Sequence, residues 1–299
     1  MQVMVIGLGS MGMGAALSLL RAGHEVFGVD PRSDACAQLA NAGAKETGSR
    51  GLDFASRAEA VLILTVNAEQ VESVLFGEEG IAGKLPPGTP VMISSTVSAD
   101  DARRFGLELE HAGHIMLDAP VSGGPVKARE GAMTVMAAGR EEAFARLAPV
   151  LDAVAERVFR ISERIGDGAA VKVIHQLLAG VHIAAGAEAM ALAARAGIPL
   201  DTMYEVVINA AGNSWMFENR MRHVVDGDYT PHSMVDIFVK DLGLVTETGR
   251  ALRFPLPLAS TAYTMFASAS TAGYGQWDDS AVIKVFPGIT LPGDEGEER

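Results

Sequence analysis

A single cysteine in 299 residues, Cys36, excludes an intramolecular disulfide framework and a cysteine-rich metal site. Basic residues are also scarce: 24 Lys and Arg stand against 37 Asp and Glu, a formal net charge of −13, which leaves no basic face for nucleic acid or an anionic membrane. No run of roughly eighteen uncharged apolar residues occurs, so no membrane span is expected. The chain enters an apolar strand without a basic leader, and the expectation is a soluble, cytoplasmic protein. His24, His111, His114, His223 and His232 lack the spacing of a ligand set, and no metal is expected. Internal repeats and low-complexity segments are missing too. An acidic chain of this kind must hold an anionic substrate by local groups, such as a lysine or a ring of backbone N–H groups.

Glycine and apolar side chains, by contrast, are plentiful, and the 48% hydrophobic content is ample for a core. The most informative stretch is the first thirty residues. An apolar run from Val3 to Ile6 enters Gly7-Leu8-Gly9-Ser10-Met11-Gly12, an alanine- and leucine-rich helix is predicted from Ser10 to Arg21, and a second apolar run ends at Asp30. A strand must turn at Gly7, a pyrophosphate must reach the backbone at Gly9, and Gly12 lets the helix pack close to the strand. The helix N–H groups then face the phosphates. Asp30 stands where a carboxylate accepts hydrogen bonds from both hydroxyls of an adenosine ribose, which predicts NAD over NADP. Arg32, two residues on, would suit a 2′-phosphate, but Asp30 would repel that group.

Strand-like runs follow at Ala60 to Val66, Pro90 to Ile93, His114 to Leu117 and Met133 to Ala137, alternating with helical stretches up to about Phe159. This predicts a mostly parallel sheet covered by helices. The pattern then changes. Asp167 to Ala196 reads as one helix, which at 1.5 Å per residue spans roughly 40 Å and suits a connector between domains. Further helices are predicted over Leu200 to Asn209, Trp215 to Val225, Ser233 to Leu252 and Leu258 to Ala272. The fold class is therefore an α/β N-terminal Rossmann-type domain (1–163), an all-α C-terminal domain (164–291) joined through the long helix, and a disordered acidic tail (292–299). Wide apolar helix faces predict a homo-oligomer, at least a dimer.

Ligands of a doubly wound sheet lie beyond the carboxyl ends of its strands. Three loops qualify: Thr65 to Ala68, which offers Asn67; Ser94 to Ser98, which offers Thr96; and Asp118 to Pro125. In the third, Ser122-Gly123-Gly124 can present consecutive N–H groups and a hydroxyl to a carboxylate, although the same residues also make ordinary turns. On the long helix Lys172, His175 and Gln176 stand at i, i+3 and i+4 and share a face. Apolar neighbours reduce the solvation of Lys172, which lowers a lysine pKa toward the range of a general base for an alcohol. The commoner fate of a helical lysine is a stem laid on apolar surface with its charge in water. Asn209 to Trp215 and Lys240-Asp241 read equally as site residues or as a helix junction and a surface ion pair.

Together, the glycine motif, Asp118-Ala119-Pro120-Val121-Ser122-Gly123-Gly124, Gly168 to Lys172, and Lys240-Asp241 resemble the 3-hydroxyisobutyrate dehydrogenase family of β-hydroxyacid dehydrogenases over nearly the whole chain. The resemblance implies an NAD-dependent dehydrogenase in which Ser122, Gly123 and Gly124 bind the substrate carboxylate and Lys172 is the acid/base. It also implies that Lys240 lies near the nicotinamide and that Thr96 lies beside both nicotinamide and substrate. Gly7 through Gly12, Asp30 and Asn67 complete the expected cofactor contacts. One departure stands out: the family usually carries paired asparagines where this chain has His175 and Gln176. These reach farther and suit a more hydroxylated acid. The surrounding run looks like a branch that oxidises the C2 hydroxyl of a four-carbon aldonate. The alternatives are a family member acting on a three- or four-carbon acid and a non-catalytic NAD sensor or scaffold.

Overall fold

The computed structural model describes residues 1–293. The expected acidic tail falls mostly on Asp294 to Arg299, outside the described residues. The chain divides into two compact units, Met1–Lys172 and Val173–Arg299.

The first unit carries nine strands: β1 (Gln2–Ile6), β2 (Glu25–Val29), β3 (Glu46–Gly48), β4 (Ala60–Ile63), β5 (Pro90–Ile93), β6 (Ile115–Asp118), β7 (Val121–Ser122), β8 (Met133–Ala138) and β9 (Ala155–Ser162). Its helices are α1 (Ser10–Arg21), α2 (Ser33–Asn41), α3 (Leu52–Ala55), α4 (Ala68–Phe76), α5 (Ala99–His111), α6 (Gly124–Glu130) and α7 (Glu141–Val154). β4, β5 and β6 are buried along their whole length, which is why they read as unbroken apolar runs and not as alternations. The sheet order is β3-β2-β1-β4-β5-β6-β8-β7, with β9 on β8, and β1 through β6 are all parallel. The chain direction across the sheet reverses between β1 and β4. That is the switch point beside which open α/β sheets bind dinucleotides.

Successive side chains along a strand point to opposite faces, and here they supply two cores. Val3, Val5, Leu62 and Leu117 meet Leu19 and Phe144 on one side, and Met4, Ile6, Phe27 and Val61 meet Phe54 and Phe105 on the other. β3, β7 and β9 add to the strands expected from sequence. β9 was hidden because it leaves Val158, Phe159 and Ile161 exposed beside Glu156, Arg157 and Arg160, so no face of it is clearly apolar.

α8 (Asp167–Arg195) begins in the first unit and continues into the second, the division falling after Lys172. By length and composition it is apolar enough to cross a membrane, contrary to the expectation that no such span occurs. Its apolar stretch is not an unbroken run: Val, Ile, Leu and Ala supply the hydropathy, but Lys172, His175, Gln176, His182 and Glu188 interrupt it. Half of its most apolar window is buried inside the fold, and Ile183, Ala187 and Met190 are core residues, as in a core helix.

The second unit adds α9 (Leu200–Ile208), α10 (Trp215–Asp226), α11 (Val235–Leu252) and α12 (Pro257–Ala269), then a short helical turn over Asp279–Val285. Among the described residues its only strand-like pairing is the bridge between Met234 and Asp278. Ile183, Met190, Phe217, Met221, Phe238, Leu242 and Phe266 form its core. Gly180 is small because a Cβ there would lie 2.9 Å from Leu242, so α11 approaches α8 closely. Arg220 pairs with the fully buried Asp279 at 2.7 Å. Pro292 and Gly293, where the tail was expected to begin, form a turn beside Gly227.

Candidate active site

The glycine turn shows what each glycine is for. Gly7 has φ +89° and a Cβ there would sit 2.6 Å from the Leu64 carbonyl oxygen; at Gly12 a Cβ would lie 1.7 Å from the Gly7 carbonyl oxygen. Both are required by the turn and by the close seat of α1 upon it. At Gly9 nothing lies within 4 Å of the corresponding position. That opening adjoins the N-terminus of α1, where no side chain caps the first turn and no acidic residue stands. Exposed N–H groups, helix dipole and free space together fit a pyrophosphate.

Asp30, at the end of β2, is 5% exposed and already well supplied with donors. Leu8 N donates to Oδ2 at 2.7 Å, while Arg32 donates its backbone N and its Nε to Oδ1, both at 2.9 Å. Arg32 Nη2 also donates to the Leu8 carbonyl at 3.0 Å. Burial raises the Asp30 carboxyl, but the Arg32 guanidinium and the backbone N–H groups outweigh it and hold the group below the usual carboxylate range. Arg32, read from sequence as a competitor of Asp30, is thus its partner. Cys36 lies beneath, its Sγ 3.3 Å from the Asp30 carbonyl oxygen.

The loops after β4, β5 and β6 line the same edge of the sheet. Thr65 Oγ1 and Ser95 Oγ are 3.0 Å apart, and Ser94 Oγ donates to the Ala119 carbonyl at 2.8 Å, so the three loops are tied to one another near Thr96. Asn67 caps α4: its Oδ1 accepts from Gln70 N at 2.9 Å, while Gln70 Oε1 accepts from Val66 N at 2.8 Å. Ser122 ends β7, and the two residues after it have φ +133° (Gly123) and +72° (Gly124). A Cβ on Gly123 would also lie 2.9 Å from Lys127 Cβ, so this is a specific backbone shape that other residues do not adopt without strain.

Lys172 is placed by a contact that sequence reasoning missed. Asp118, at the end of β6, is 2% exposed, and its Oδ2 accepts from Gly166 N at 2.8 Å and Ala169 N at 3.0 Å, anchoring the start of α8. Gly168 permits this, since a Cβ there would be 2.6 Å from the Asp118 carbonyl oxygen and 2.7 Å from that of Met136. Lys172 follows one turn later, 6% exposed. Burial pushes the Asp118 carboxyl up to about 6, against the N–H groups that favour its charged form.

Within the second unit, His175, Gln176, Lys240 and Asp241 are brought together. His175 Nδ1 lies 3.0 Å from Gln176 Oε1, Gln176 Nε2 donates to Asp241 Oδ2 at 2.6 Å, and Lys240 Nζ is 2.6 Å from Asp241 Oδ1. Asp241 is 2% exposed, so its pair with Lys240 is no surface ion pair. The Asn209 to Trp215 stretch is a helix junction: Ser214 caps α10 by accepting from Phe217 N at 3.0 Å.

With this geometry in hand, comparison with known proteins identifies the lineage. Residues 2–162 match the NAD binding domain of 6-phosphogluconate dehydrogenase, and residues 166–286 match the NAD-binding domain of NADP-dependent 3-hydroxyisobutyrate dehydrogenase. The chain belongs to the 3-hydroxyisobutyrate dehydrogenase family. As a member it is an NAD-dependent hydroxyacid oxidoreductase. It is 67% identical over 289 residues to an L-threonate dehydrogenase of Escherichia coli K12, covering 97% of this chain and 96% of that one. An L-threonate dehydrogenase of Haemophilus influenzae is 65% identical over 290 residues, with the same coverage. A crystal structure of 3-hydroxyisobutyrate dehydrogenase from Salmonella typhimurium is 64% identical, covers 95% of this chain and 99% of its own, and superposes with a TM-score of 0.92.

Proposed function

We propose that this family member oxidises the C2 hydroxyl of L-threonate to 2-dehydro-L-erythronate. NAD, when bound, takes the hydride from the carbinol carbon. Lys172 receives the hydroxyl proton, and Ser122 with the Gly123 and Gly124 turn holds the carboxylate. In this reading Thr96, Asn67 and Lys240, with the Gly7 to Gly12 turn and Asp30, are assigned to the cofactor, and His175 and Gln176 to the distal hydroxyls. Orientation of the carbinol hydrogen and exclusion of water are the main work of the protein. The reading includes a soluble cytoplasmic homo-oligomer, a dimer or tetramer, supported by the exposure of Leu252, Phe254 and Leu258 on the helical unit.

The observation that carries the proposal is identity of 65–68% with four L-threonate dehydrogenases across 97% of the chain. The second reading, a branched hydroxyacid, is favoured by the name of the Salmonella relative. The test is NADH formation by purified protein with L-threonate, D-threonate, D-erythronate, 3-hydroxyisobutyrate and D-glycerate. Selective turnover of L-threonate is expected. Preference for 3-hydroxyisobutyrate would establish the second reading, and NAD binding without turnover of any of the five would overturn both.

A further inference from the structure

The carboxylate assigned to the adenosine ribose has its acceptor positions filled by the protein's own donors. Two carboxylate oxygens offer about four such positions. On Asp30, Arg32 N and Nε donate to Oδ1, both at 2.9 Å, while Leu8 N at 2.7 Å and Arg32 Nη2 at 3.3 Å donate to Oδ2. The two ribose hydroxyls would bring two more donors to a side chain that is only 5% exposed, so something must leave. Leu8 N belongs to the glycine turn and Arg32 N to the N-cap of α2, and neither moves without disturbing its element. The Arg32 side chain is 55% exposed, with Asp30 and, at 3.0 Å, the Leu8 carbonyl as its acceptors. Its two bonds to the carboxylate fall one on each oxygen, Nε on Oδ1 and Nη2 on Oδ2. That is the pattern in which the hydroxyls of a vicinal diol meet a carboxylate.

We propose that the Arg32 guanidinium is an internal competitor for the diol seat on Asp30, a latch that the two ribose hydroxyls displace when NAD binds. The proposal rests on the assignment of Asp30 to the ribose and is independent of the substrate. Opening the latch breaks the side-chain bonds to Oδ1, Oδ2 and the Leu8 carbonyl, and the hydroxyls replace the first two, so the buried carboxylate keeps its full set of donors. The backbone N–H groups of Leu8 and Arg32 stay in place and keep the carboxylate aimed. The lost ion pair opposes the oxidised and the reduced coenzyme alike. Arg32 therefore sets the affinity below what Asp30 alone would give and favours release of the coenzyme after turnover.

The test is calorimetric titration of the full chain with NAD. Arg32→Met keeps an unbranched side chain and the backbone N–H on Asp30 but removes the fork. A half-exposed guanidinium that bonds both carboxylate oxygens is worth about three- to tenfold in an equilibrium, so the Kd for NAD should fall by that factor. Loss of a cation near an anionic coenzyme acts in the opposite direction, so tighter binding has the opened seat as its source. A Kd that is unchanged or higher in Arg32→Met overturns the latch. Asp30→Ala is then added to Arg32→Met, where no latch competes, and should weaken NAD about tenfold or more. Unchanged binding on that addition removes the assignment of Asp30 to the ribose and the latch with it, whereas weakening there without tightening in Arg32→Met removes the latch alone. Arg32→Met made on Asp30→Ala should give no tightening, and a gain there overturns the proposal. A second readout is the ¹⁵N-arginine spectrum of the unsubstituted protein at low temperature, with the Arg32 Nε–H assigned by its loss in Arg32→Met. Without added NAD this proton should be protected from exchange, and at saturating NAD its signal should move or vanish. A signal that keeps both its position and its protection at saturation overturns displacement.

Discussion

At the scale of single residues, Lys172 and Asp30 carry the sharpest expectations. Removing a positioned acid/base costs about two to four orders of magnitude in rate. Lys172→Ala should lose that much turnover while NAD affinity, measured by titration, stays within about threefold. Near-normal turnover would remove Lys172 from the role. Asp30→Ala removes a carboxylate and releases Arg32, which is bonded to it through both Nε and the backbone N. Loss of charge-assisted bonds to a ribose predicts about a 10- to 100-fold fall in kcat/KM for NAD. The freed guanidinium suits a 2′-phosphate, so the ratio of NADP to NAD activity should rise; steady-state rates with the two cofactors read both effects. How legible these residues were depends on where their partners lie. Gly7, Gly12 and Asp30 stand in a local pattern that a sequence displays. The grip of Arg32 on Asp30 needed a side chain that doubles back across two residues, and Gln176 meets Asp241 across 65 positions, a juxtaposition no spacing rule contains.

At the scale of elements, the start of α8 is the part on which the site depends. Asp118 holds two N–H groups of that first turn from the end of β6. Its carboxyl is raised from 3.8 to about 6 in the fold, so between these values the folded chain binds more protons than the unfolded one. Stability from this group is therefore fullest at acid pH and is lost as pH rises from about 4 through about 6. Asp118→Asn keeps an oxygen to accept both bonds and does not titrate. The melting temperature of the variant, relative to the parent, should rise between pH 5 and pH 8; a constant difference would contradict the assignment. The elements themselves were mostly visible in sequence, α1 to the residue and the strands β1, β2, β5 and β8 to within one, because buried parallel strands are uniformly apolar. Thr65 and Val66 were read as the end of a strand that stops at Ile63, since apolar character continues into the loop where the chain leaves the sheet.

At the scale of the whole molecule, two classes of expectation stand apart. The helical unit exposes Leu252 at 73%, Phe254 at 64% and Leu258 at 68% around one helix junction, more apolar surface than a lone chain keeps without cause. Sedimentation at micromolar concentration should show a dimer or larger, and a monomer would leave that surface unexplained. The other concerns what the fold needs and what it merely permits. Gly7 and Gly12 are demanded by neighbouring backbone, but the space beside Gly9 is empty of protein. Gly9→Ala should therefore melt within a few degrees of the parent, on the order of ±0.5 kcal/mol, yet bind NAD at least tenfold more weakly by titration. A descendant of this chain released from redox work would be free to change position 9 while positions 7 and 12 stayed fixed, so the middle glycine records service to a coenzyme and its neighbours record only architecture.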